Sequence, residues 1–177
     1  SEVEKVMEEA KRIVTELEEK IRELERKVKK IDEDSRRHLK EVHDRTAEIA
    51  KTLRDILRKE RSEEVAKEIE RLLTELEKES KDVARRNEDL LRRLEEEIRR
   101  VVEEIRKLLE ELRKRLDDKN VDDKIRREIE EAVERLETEA RRLRREVEEA
   151  VRRNREMLKR NEKEIKDVAK ELRDRLR

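Results

Sequence analysis

Serine, asparagine and histidine carry the side-chain chemistry of this sequence that is not plain charge. Setting aside Ser1, and Ser62 and Asn120 at the two breaks in its apolar pattern, they are Ser35, His38, His43, Ser80, Asn87, Asn154 and Asn161. Histidine near serine and aspartate has the ingredients of a hydrolytic triad, in which the imidazole takes the hydroxyl proton. That chemistry also needs donors aimed at an oxyanion, commonly from a glycine-bearing elbow, and the chain has no glycine. Chelation by two histidines of one helix needs them four apart; His38 and His43 are five apart, about 140° round a helix. The Glu-x-x-His spacing of di-metal bundles is missing too, since Ser35 and Lys40 stand where the glutamates would. No cysteine is available for a thiolate site or a disulfide. The expectation is no catalytic residue, no metal and no cofactor. What remains for these side chains is hydrogen bonding inside a core.

The elements that must position them are helices. Of 177 residues, 60% are Asp, Glu, Lys or Arg, and there is no glycine, proline, glutamine or aromatic ring. Sharp turns and odd backbone angles are made with the first two, and much recognition with the rings. Fifty-three basic residues balance 53 acidic ones, so the large net charge that accompanies disorder is absent. A composition of Ala, Glu, Lys, Leu and Arg with a helical period signals long helices or coiled coil. The balance also argues against a nucleic-acid partner, which needs a concentrated basic face. The densest basic run, Arg141, Arg142, Arg144 and Arg145, is flanked by Glu139 and Glu146 and reads as a solvated helix face. No apolar run approaches the roughly 18 residues of a membrane span, and Ser1–Ala10 has no signal-peptide pattern. A soluble chain of synthetic origin is expected, with its cellular location unknown.

Apolar residues recur in steps of three and four in three tracts. The first begins Val3, Met7, Ala10, Val14; the second includes Leu72, Leu76, Val83, Leu90 and Leu108; the third runs from Ile125 to Leu172. Met7 and Met157 lie on or beside this stripe as ordinary core fillers. Successive steps of four relax the period toward 3.6, so a shallow supercoil is expected. Two interruptions separate the tracts. Ser62 is a natural N-cap, with Glu63 and Glu64 where a helix dipole favours negative charge. Asn120 suits a left-handed C-terminal residue, and Asp122 can cap the next helix. Helices near 2–60, 63–118 and 122–177 result, each about 85 Å long at 1.5 Å per residue. The fold class is all-α: one domain over 1–177, an elongated antiparallel up-down-up three-helix bundle. A rival reading breaks the first helix at Asp34–Ser35, with Ser35 as an N-cap.

Folded at these turns, the chain brings Ser35, Asn87 and Asn154 to one height and His43, Ser80 and Asn161 to another. His38 falls between them, level with Ala84, and Thr46 and Thr74 flank the second layer. Each helix thus offers one polar residue to each layer. A buried amide or hydroxyl costs a few kcal/mol unpaired and little when bonded, so the layers penalise wrong registers more than they add stability. Imidazoles buried in neutral form would also make the fold weaken in acid.

The chain resembles computationally designed helical bundles with buried hydrogen-bond networks. The marks of the resemblance are matched idealised helices, Glu/Lys/Arg surfaces, minimal loops such as Lys59–Ser62, and Ser/Asn/His layers in an aliphatic core. Designed loops commonly contain glycine or proline, and here neither occurs. Spectrin repeats are a weaker match, since they usually carry a core tryptophan. Such designs serve as scaffolds, interaction modules or switches. The resemblance implies a structural scaffold without natural activity; a monomer is expected, with no nucleic-acid or membrane partner on the grounds of charge balance and the missing apolar span. The alternative is an interaction module, half of a helical heterodimer or a self-associating bundle. At 32% hydrophobic residues, the chain covers a three-helix core with little left for a second seam. Boundary filling accounts for Ala66, Leu73, Leu91, Val102 and Leu109.

Overall fold

A computed structural model describes residues 1–177. It contains three α-helices, α1 (Glu2–Lys59), α2 (Glu63–Asp118) and α3 (Asp123–Leu176). No strand is present. α1 passes through Ser35 without a break, so the N-cap reading of that serine is overturned. Ser35 instead lies on the buried stripe of α1, with helix continuing on both sides of it.

The turns follow their residues. The backbone N–H of Val65 donates to Ser62 Oγ at 3.3 Å, satisfying one of the orphan donors that start α2. At the end of α2, Asn120 has φ 53°. The N–H of Val121 donates to the Leu116 carbonyl at 3.2 Å, and that of Asn120 to the Asp117 carbonyl at 3.3 Å. This is the Schellman pattern, completed by the apolar contact of Val121 with Leu116 in one buried cluster.

The chain gathers into two compact units, Ser1–Lys30 with Leu91–Glu149, and Ile31–Leu90 with Ala150–Arg177. In the first, Lys20–Glu104 and Lys27–Glu97 pair α1 with α2 in opposite directions. Arg106–Glu137 and Arg113–Glu130 do the same for α2 and α3. In the second, Arg155–Glu88 and Arg173–Glu70 set α2 against α3, while Asp32–Arg153 and Arg54–Glu171 join α1 to α3 in parallel. Each unit is therefore an up-down-up three-helix arrangement. Leu53, Leu57, Ile69, Leu73 and Leu172 form the aliphatic core at the α1–α2 turn.

The buried stripe of α2 corrects the sequence assignment. It runs Ile69, Leu73, Leu76, Ser80, Ala84, Asn87, Leu91, Leu94, Ile98 and on to Leu116. Leu73, Leu91 and Leu109 are core residues, whereas Leu90 is 45% exposed. The steps average close to the 3.6 residues of an undistorted helix, and Ser80 and Asn87 belong to the stripe. Counting only apolar residues put Leu72, Leu90 and Leu108 on the stripe in place of Leu73, Leu91 and Leu109, while Ile69, Leu76, Leu94 and Ile98 stand where the periodicity set them.

Candidate functional site

All seven polar candidates fall in the second unit. Ser35, Ser80, Asn87, Asn154 and Asn161 are buried, and so is Thr46. Asn87, on the stripe of α2, directs its amide nitrogen to both neighbouring helices. Its Nδ2 donates to the Ser35 carbonyl of α1 at 3.2 Å and to Asn154 Oδ1 of α3 at 3.1 Å. Asn154 Nδ2 returns a bond to the Ala84 carbonyl of α2 at 2.9 Å. Ser35 takes part through its backbone, because a helical carbonyl has a second lone pair to offer. Both amide protons of Asn87 are thus occupied.

The second layer is not assembled from the residues expected. His43 is exposed on the flank of α1, its side chain 53% accessible, with Nδ1 2.6 Å from Glu164 Oε2 of α3. The physical reason is phase. Leu39, Val42 and Thr46 face the core, and one residue beyond Val42 is turned about 100° away from it. The expectation of a buried histidine is therefore corrected. Thr46 occupies the inward position but donates to its own helix, to the Val42 carbonyl at 2.8 Å. Asn161 Nδ2 donates to the Leu39 carbonyl at 3.3 Å. Ser80 Oγ is buried with no hydrogen-bond partner.

His38 is half-buried. It lines an open cavity of about 310 Å³ with Val42, Arg45, Glu79, Val83, Asn87 and Leu90. Arg45 pairs with Glu79 along that rim. No group of three or more His, Asp or Glu side chains is placed to hold a metal ion. No helix is long and apolar enough to cross a membrane.

Charge is organised along the rims. Arg54 grips Glu171 with Nε at 3.1 and 3.0 Å from the two carboxylate oxygens and Nη2 at 2.7 Å. These hydrogen bonds hold the Glu171 carboxyl below the ordinary carboxylate range, and Arg173 does the same for Glu70. One buried charge escaped the reading of the sequence: Glu95 of the first unit, whose side chain is 10% exposed between Arg92 and Arg99. Its signal was the placement of arginines three residues before and four after.

No protein-family model matches the chain, and no curated protein matches it. Among solved structures, the chain is similar to one described as a computationally designed three helix bundle. The identity is 20% over 99% of this chain and 86% of that one, with a TM-score of 0.47.

Proposed function

We propose that this chain is a designed structural scaffold whose purpose is its own fold, without catalytic activity, and whose buried asparagines set helix register. The observation that carries the reading is the hydrogen bond that Asn87 Nδ2 donates to Asn154 Oδ1 at 3.1 Å in the core. Sliding α3 by a heptad would break the alignment of Asn154 with Asn87. Either Asn154 would meet Leu94, or Asn161 would meet Leu73. An amide stranded there costs about 1–3 kcal/mol, so the penalty falls on wrong registers. The test compares Asn87→Leu with the double change Asn87→Leu, Asn154→Leu. The single change should destabilise by about 1–3 kcal/mol, and the double should recover most of that loss. Neutral behaviour of both would defeat the register role.

A monomer is the accompanying reading. Leu90 is the one large hydrophobic residue left exposed, and a standard interface buries about 800 Å² per partner. Light scattering on the eluted protein should report a mass near 21.8 kDa. Twice that mass would favour the alternative, a self-associating interaction module.

A further inference from the structure

The first unit has an apolar groove of about 340 Å³ between the first turns of α1 and those of α3. Met7 and Val14 form one wall, Ile125 and Ile129 the other, and Ala10 and Ala132 lie between them. The two alanines explain the hollow, because a methyl group fills little of the space that paired leucines or isoleucines occupy elsewhere. This volume is within the range of small-molecule sites, roughly 300–1,000 Å³.

The rim carries one charge of each sign, Lys11 on α1 and Glu128 on α3. These residues are 117 positions apart, the spacing of Glu25 and Arg142, whose 3.2 Å ion pair crosses the same α1–α3 edge of this unit. Lys11 and Glu128 are paired neither with each other nor with another charge. A ligand of either net charge would be attracted by one rim residue and repelled by the other. A neutral guest meets no such opposition. It would also remove water from between the two side chains and so strengthen their attraction.

We propose that this groove binds a neutral, compact apolar small molecule, with Lys11 and Glu128 closing over it as an ion pair. Met7 supplies an adaptable wall, since an unbranched thioether repacks readily around a guest.

The chain contains two methionines, and Met157 does not line the groove, so methyl NMR of methionine-labelled protein has an internal control. The neutral dye Prodan is titrated as the probe. The Met7 methyl should shift saturably while the Met157 methyl stays put. Ala132→Leu should weaken the response by about tenfold or more once leucine occupies the floor, with helical circular dichroism retained. Glu128→Lys, a surface change that leaves the groove open, should weaken it by about two- to fivefold, most at low salt. The proposal is overturned if neither methyl responds, if both respond alike, or if the Ala132→Leu and Glu128→Lys proteins bind as the parent does. It is equally overturned if dilution without dye moves Met7, which would show a second copy covering the groove.

Discussion

His43 and Glu164 meet at 2.6 Å on the outside of the second unit, joining α1 to α3 as a rim pair. The imidazole that the sequence placed in a core layer therefore contributes to the solvated edge. Exposed pairs of this kind contribute about 0–1 kcal/mol. His43→Ala should accordingly lower the unfolding free energy from urea titration at pH 7 by no more than that amount. A loss above about 2 kcal/mol would require burial of the ring.

Ser80 gives the opposite expectation. Its hydroxyl is buried without a partner, which costs on the order of 1–3 kcal/mol. Alanine removes the orphan and is the better helix former. Ser80→Ala should raise stability by about 1 kcal/mol or more, read as a higher denaturant midpoint at unchanged slope. A drop in the midpoint would mean that the hydroxyl has a partner in solution.

Asn120 holds the left-handed conformation that ends α2. Glycine adopts it without a side-chain penalty, whereas a β-branched residue suffers most. Asn120→Gly should be neutral or slightly stabilising, and Asn120→Val should cost about 1–2 kcal/mol. Thermal or chemical denaturation of the two variants side by side tests the order. Equal stabilities would remove the positive φ as a determinant of the turn.

Acid sensitivity is assigned to carboxylates. Hydrogen bonds from Arg54, Arg173 and Arg71 hold Glu171, Glu70 and Glu68 below the ordinary carboxylate range. Arg115 and Lys119 do the same for Glu9 and Glu2. Each binds its proton more weakly in the folded chain than in the unfolded one. The stability they contribute is fully present above the unfolded value of about 4.3 and is lost as pH falls through the lower folded values. Stability should stay level from pH 7 to about 5 and decline below about 4.5, with a gentler slope in high salt. A decline setting in near pH 6 in urea titrations would overturn the role given to these carboxylates.

Much of the architecture could be read in one dimension because it depends on local chemistry. Ser62 and Asn120 mark the two helix ends through capping and a left-handed residue, and neither needs a distant partner. The three apolar tracts dictate three helices, and the scarcity of asparagine made the alignment of Asn87 with Asn154 visible. What tertiary packing decided was rotation about each helix axis. Leu90 and Leu91, or Leu72 and Leu73, are neighbours about 100° apart, and local propensity does not choose between them. A heptad count also drifts by about 20° per heptad from a straight helix, which is enough over a helix of this length to exchange core for rim. The choice fell to the space left by facing side chains. It put Leu91 inside and Leu90 out, turned His43 toward Glu164, left Ser80 without a partner, and opened the groove where Ala10 and Ala132 are too small to fill it.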